Sequence, residues 1–524
     1  MKILLALLMV IVGVTPSLGG EQSASTPFDS GIKFTPQGRI DALVQSKFRR
    51  LKIEPATICS DSTFVRRAYL DVIGTLPTAD EAEQFLLDND PRKRHKLIDR
   101  LLERDEFADY WALKWCDLLR VKSEFPINLW PNAVQAYHRW IHTAVKQNMP
   151  YDRFARDLLT SSGSNFRDPQ VNFYRAVQNT QPNTLATAVA LTFMGTRVKN
   201  LPPQRRDQLA VFFSRVSYKS TDEWKEQIVF FDPFAKPPDN LPTSVVFPDG
   251  TSRSLSPHED PRRLFADWLI QRRNPYFART MANRAWCWLL GRGIIEPADD
   301  LRPDNRPSNP ELLNYLEKEF VASKYDVKHL FRLILNSRTY QLSCIPRSSD
   351  PQAAAQFAYY PVRRLDAEVL ADALCQISGT TEEYSSLIPE PFTFIPEDQR
   401  SIALADGSIT SPFLEMFGRP PRDTGLMDER DNRPSSAGEL HLLNSSHIRN
   451  KIERSSKLRK LMRSGRTPIE NVKNLYLTIL SRPPTDEELQ VLKKYTESGQ
   501  VKRWEVPIDI AWALVNSAEF LYRH

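Results

Sequence analysis

A chain of 524 residues, 41% hydrophobic and 26% charged, has ample length for two or three folded units and the composition of a globular protein, not of a disordered or many-span membrane chain. Its net charge of +6 is too small for charge alone to specify a nucleic-acid partner. With 39 Pro against 18 Gly, glycine-built cradles are scarce, and the absence of G-x-x-x-x-G-K-[ST], G-x-G-x-x-G and G-x-S-x-G takes most support from motif-readable nucleotide and serine-hydrolase chemistry.

The chain opens with Met1-Lys2, an unbroken apolar run from Ile3 to Val14, and small residues at Ser17 and Gly19 that suit a signal-peptidase site. Residues 1–19 are therefore expected to be a signal peptide, and the protein to be exported to the periplasm or cell surface. The run is short for about 30 Å of hydrocarbon, so no membrane span is expected once the leader is removed.

Residues 35–224 read as a first helical domain. Leu97, Ile98, Leu101 and Leu102 form one apolar stripe at helical spacing, and Trp111, Trp115, Leu118 and Leu119 form another. Thr78 with Glu81, and Ser308 with Glu311, fit the capping box that starts helices. Residues 225–256 change character: Ile228-Val229-Phe230-Phe231, a Pro-rich link, Val245-Val246-Phe247 and the turn Pro248-Asp249-Gly250 predict a small β element. Residues 257–524 read as a second helical domain, with stripes at Val327, Leu330, Phe331, Ile334, Leu335 and at Leu365, Val369, Leu370, Ala373, Leu374, Ile377. A long loop segment at 381–433, rich in Pro, Asp and Arg, interrupts it. The expected fold is predominantly α, two helical domains with the small β insertion between them. A weak repeat supports the helical reading: Val65-Arg66 through Glu81 matches Val472-Lys473 through Glu488 at a constant offset of 407, each copy a helix, a Pro turn and a capped helix.

Two sets of segments carry a resemblance. Phe64-Val65-Arg66-Arg67-Ala68-Tyr69-Leu70-Asp71, Leu76-Pro77-Thr78 and Trp115-x-Asp117-Leu118-Leu119-Arg120 resemble the planctomycete cytochrome-associated domain of unknown function. Asn283-Arg284-Ala285-Trp286, Gly291-Arg292-Gly293-Ile294, Ser308-Asn309-Pro310-Glu311-Leu312-Leu313, Ile334 to Tyr340, Phe417 to Asp423 and His441-Leu442-Leu443-Asn444 resemble the second domain that usually follows it. Together they cover nearly all of the mature chain. The resemblance implies a large exported protein and brings no biochemical activity with it, although relatives that carry cytochrome c-type domains suggest a redox role. Many relatives place C-x-x-C-H between equivalents of Phe193–Arg197 and Ala210–Ser214, where this chain has Val198 to Arg206. Without paired Cys and the following His, covalent haem is excluded and no cofactor is expected.

Five scattered cysteines, Cys59, Cys116, Cys287, Cys344 and Cys375, read as buried thiols. His138 and His142, four apart, would share a helix face, but the expectation is a histidine pair without metal. Glu296, Asp299, Asp300 and Asp304 gather hard oxygens in one loop, with Arg302 and Arg306 among them and Arg284 as the expected cation partner. His441 lies near Arg419, Arg422, Asp423 and Asn444, a mixture able to bind an anionic sugar or to hold the loop as a polar network. From Arg449 to Arg466 a basic strip carries an apolar side at Ile448, Ile452, Leu458, Leu461 and Met462. The candidate binding site is Arg284, Asp299, Asp300, Arg338, Arg419, Asp423, His441 and Asn444, with no metal. The expected function is a binding or scaffold protein for an anionic glycan or another exported protein. The alternatives are a polysaccharide hydrolase and a redox component working with a separate cytochrome.

Overall fold

The computed structural model describes residues 26–234, 244–256, 258–462, 467–498, 502 and 505–524. The signal-peptide expectation and the end of the basic strip lie outside them. The chain is predominantly helical, 52% helix and 6% strand. Among the described residues no helix is long and apolar enough to cross a membrane.

Local sequence sets the helix ends. Thr78 accepts from the Glu81 backbone N–H while the Glu81 carboxylate reaches back, and Thr485 with Glu488 does the same, so both capping boxes of the repeat form. The two copies lie against each other: Ala79–Leu87 packs on Pro468–Leu480, and Arg66 donates 2.8 Å to the Ile479 carbonyl. Ser308 is not a cap. Pro310 has no N–H to lose at the first helical position, so the helix Pro310–Ala322 starts there and Asn309 takes the cap, accepting from Leu312 N–H.

The β element starts earlier than residue 225. Gly163–Ser164, Gln227–Phe231 and Val216–Ser220 form an antiparallel sheet in that order, with Val216 opposite Phe231 and Tyr218 opposite Val229. The outer strand offers just Val216 and Tyr218 as an alternating pattern, too short a signal to separate it from the preceding helix. A second hairpin pairs Ser244–Val246 with Ser252–Ser254 and is anchored when Trp268 Nε1 donates 2.8 Å to Asp249.

Residues 35–224 and 257–524 share one continuous apolar core. Trp111, from the first stretch, sits 4.4 Å from the Phe331 ring and 5.3 Å from the Trp288 ring. Beside this core runs a buried charge network drawn from both stretches. Asp71 accepts from Tyr340, Tyr360 and Arg363 at 2.8–2.9 Å. Asp366 accepts from Tyr110 at 2.8 Å and from Lys114 and Arg523 at 2.9 Å. Asp117 pairs with Arg422 at 2.9 Å and Arg430 at 2.7 Å, and Arg430 continues to Glu368 at 2.6 Å. Burial works to raise the pKa of Asp366 and Asp117, but the cations around Asp366 hold its pKa well below the usual carboxylate range, and Arg430, Arg422 and Lys114 lower that of Asp117.

This arrangement makes stability depend on pH with a definite sign. Burial pushes His138 and His524 down to about 3, so both stay neutral in the fold while the unfolded chain takes up protons below about 6.5. Their contribution is present above that value and is lost as pH falls toward 3. Asp366 and Asp117, with depressed values, add a second loss below about 3.9. Thermal unfolding followed from pH 8 to pH 3 is expected to show a midpoint that begins to fall below about pH 6.5 and falls more steeply below about pH 4. A midpoint unchanged between those two values would contradict the neutral-histidine assignment.

Candidate functional site

The expected site residues separate. Arg284 is fully buried in the helix Phe277–Leu290 and donates to the Leu191 and Thr192 carbonyls, closing the end of the helix Pro182–Met194. It is not the partner of the acidic loop. Arg197 is, donating 2.6 Å to Asp299, which also accepts from Met427 N–H at 3.1 Å. Asp300 accepts from Asn200 at 2.9 Å and Arg302 at 3.0 Å. Arg419 is buried against the carbonyls of Asp406, Gly407 and Ile409, and burial, with Arg422 beside it, lowers its pKa to about 10. Asp423 pairs with Lys122 at 2.8 Å. Arg338 stands apart, its backbone N–H held by Asp41 at 3.0 Å. His441 Nε2 lies 3.3 Å from His447 Nδ1, whose ring reaches Glu382 at 3.3 Å, and Asn444 is exposed. Among the described residues none of the eight side chains hydrogen-bonds another.

Two other expected clusters are used structurally. His142 pairs with Asp109 at 3.0 Å, and its ring lies 6.1 Å from that of His138. In the basic strip Lys451 is buried against Glu382 at 3.1 Å, Lys457 donates to the Gln376 carbonyl, and Arg449 pairs with Glu453. All five cysteines are free thiols.

What the acidic loop does build is one wall of a cleft of about 580 Å³. Arg302, Asp304, Asn305 and Arg306 line this wall. Asn200, Arg205 and Gln208 line the facing one, with Phe247 from the second hairpin and Tyr276 and Arg279 beside it. Gly195 makes the floor possible: it ends the helix Pro182–Met194 at φ +56, its carbonyl accepts from Leu301 N–H at 2.7 Å, and an added Cβ would meet Thr280 at 3.0 Å and Leu301 at 3.1 Å. Asp299 and Asp300 clamp the two walls through Arg197 and Asn200, and so position the cleft without lining it.

The lining is apolar below and cationic at the rim. Leu201, Leu209, Val246, Ile295 and Leu301 contribute hydrocarbon. Arg302 is paired with Asp300 and Asp304, and Arg279 with Glu317. Arg205 and Arg306 are exposed, and among the described residues neither has a carboxylate partner. Gln208 Oε1 is buried without a hydrogen-bond partner. Burial, reinforced by Asp249, raises the pKa of Tyr276, so its phenol stays protonated and can donate. The site thus offers, among the described residues, two guanidiniums without a carboxylate partner and a hydroxyl donor over an apolar floor. Sequence reading missed Arg205, Gln208, Tyr276 and Arg279. The one available signal was that Arg205 falls in Val198–Arg206, where the chain departs from its relatives' pattern.

No curated protein and no solved structure matches the chain. Two family models do, in N- to C-terminal order: PSCyt2, a protein of unknown function (DUF1549), over residues 39–201, and PSD1, a protein of unknown function (DUF1553), over residues 261–496. The first stretch ends in one wall of the cleft, and the second supplies Tyr276, Arg279 and the opposite wall. The chain belongs to the family in which a PSCyt2 domain is followed by a PSD1 domain.

Proposed function

We propose that this protein is an exported, non-catalytic binding protein for an anionic glycan, held in the arginine-rimmed cleft. The observation that carries the reading is the pair Arg205 and Arg306, two guanidiniums facing a cleft of about 580 Å³ with no carboxylate partner among the described residues. That volume is in the usual range for ligand sites, and unpaired guanidiniums select carboxylates and sulfates by charge-assisted hydrogen bonds. Tyr276 supplies a neutral donor for a sugar oxygen. Export is supported by the apolar run from Ile3 to Val14.

Hydrolysis is less well supported. Glycoside cleavage ordinarily needs two carboxylates flanking one bond, and among the described residues Asp304 is the one carboxylate lining the cleft, already paired with Arg302 at 2.9 Å.

Equilibrium titration with a short oligouronate, and with a neutral glucose oligomer of equal length, tests the reading. The oligouronate is expected to bind at low salt and to weaken strongly at about 1 M salt, where the screening length falls to about 3 Å. The neutral oligomer is expected to bind more weakly. Absence of binding, or equal binding of both at every salt concentration, would overturn the proposal.

A further inference from the structure

Three aromatic rings from three distant segments, none of them lining the cleft, meet at the surface. Trp130 ends the loop before the helix Pro131–Lys146, Trp224 lies in the turn between strands Val216–Ser220 and Gln227–Phe231, and Phe392 comes from the long loop at 381–433. Their centroids are 4.5 Å (Trp130–Trp224), 5.3 Å (Trp130–Phe392) and 5.6 Å (Trp224–Phe392) apart, in edge-to-face or tilted geometry. Trp224 is 58% exposed and Phe392 45% exposed. Edge-to-face packing fixes the rings against one another and leaves ring faces open to solvent.

The turn that carries Trp224 is braced. The Glu226 carboxylate accepts from Thr221 at 2.7 Å and from Ser164 at 2.5 Å, tying the turn to the neighbouring strand. Lys225, in the left-handed region at φ 63, holds its ammonium 5.7 Å from the Trp130 ring and 5.8 Å from the Trp224 ring. A cation therefore stands at the edge of an apolar platform whose shape is set before any ligand arrives.

The size of the platform selects its occupant. Aromatic side chains bury about 150–250 Å² each, so the open halves of Trp224 and Phe392 present about 200 Å². A stable protein interface needs about 800 Å² per partner. Phe125 and Phe394, exposed on the same loops, make no ring contact with the cluster among the described residues and do not extend it. An area near 200 Å² matches the apolar C–H face of one or two pyranose rings, and Lys225 favours a ring bearing a carboxylate or sulfate. We propose that Trp130, Trp224 and Phe392 form a stacking platform for sugar rings of an acidic polysaccharide, a binding site separate from the cleft. The inference takes its anionic glycan from the function proposed above, and makes that glycan a polymer whose sugar rings also stack on these three side chains.

Affinity electrophoresis of the full mature chain through gels containing alginate, a polyuronate, tests this. Trp224→Ala with Phe392→Ala, both at exposed positions, is compared with Arg205→Ala with Arg306→Ala. The wild type is expected to be retarded, and the aromatic double variant to bind roughly tenfold more weakly or worse, because the stacked area is lost. Retardation unchanged by the aromatic variant but lost in the arginine variant would overturn the platform and leave the cleft reading standing. The reverse pattern would support the platform and overturn the cleft. Absence of retardation overturns both. A wild type that self-associates in gel filtration, with loss of that association in the aromatic variant, would show that the rings contact protein and would overturn the platform.

Discussion

Replacing Asp117 by alanine is expected to lower stability by about 3–5 kcal/mol, enough to leave much of the chain unfolded at moderate temperature. The carboxylate stands between Arg422 at 2.9 Å and Arg430 at 2.7 Å, in a network that also holds Glu368 and Asp366. Removing it leaves the fully buried Arg422 guanidinium with carbonyl acceptors but no carboxylate, while Arg430 keeps Glu368, and the desolvation penalty of the uncompensated charge is larger than the net contribution of an intact pair. Asp423→Ala is the internal control. Its partner Lys122 is a single cation and Asp423 is 31% exposed, so its loss is expected to cost at most about 1 kcal/mol. Denaturant unfolding followed by circular dichroism distinguishes the two variants. Because Asp117 comes from the first stretch and its cations from the second, the Asp117 variant is also expected to unfold both stretches together. Two separate transitions in the wild type would contradict a shared core.

The second large effect is expected at the cleft. Arg205→Ala and Arg306→Ala are each expected to weaken binding of an oligouronate by roughly tenfold to a hundredfold, the loss of about 1.5–3 kcal/mol for a hydrogen bond to a charged group. Both side chains are exposed and unpaired among the described residues, so neither substitution is expected to shift the unfolding midpoint. Arg302→Ala makes an instructive contrast. It frees Asp300 and Asp304 from their cation, adds uncompensated negative charge to one wall, and is expected to weaken anion binding without Arg302 itself having contacted the ligand. Titration calorimetry on the three variants checks these outcomes, with wild-type affinity in Arg205→Ala and Arg306→Ala contradicting them.

The parts of this architecture legible in the sequence are those decided within a few residues. The stripe Leu97, Ile98, Leu101, Leu102 lies buried in the helix Lys93–Leu102, and the capping boxes at Thr78 and Thr485 form as their spacing predicts. Ser308 shows the limit of that reading, because two potential caps stood side by side and Pro310 decided between them. The cleft was legible in half. The acidic residues from Glu296 to Asp304 marked one wall, yet their partners Arg197 and Asn200 lie about a hundred positions earlier in the chain, and Arg284, the nearer cation, is consumed by the end of the helix Pro182–Met194. Which of several arginines meets a given aspartate is a tertiary fact that spacing does not encode. The same holds for Trp130, Trp224 and Phe392, which are isolated aromatics in sequence and a cluster in space.

An anionic glycan bound in the cleft between Val198–Leu209 and Asp299–Pro307 shields the backbone of both segments from solvent. Hydrogen–deuterium exchange of the mature protein, with and without a saturating oligouronate, tests it most directly. Slowed exchange is expected in peptides covering residues 198–209 and 299–307, with unchanged exchange in the buried helix Asp61–Val72. Slowed exchange confined to other segments, with none in those two, would contradict it.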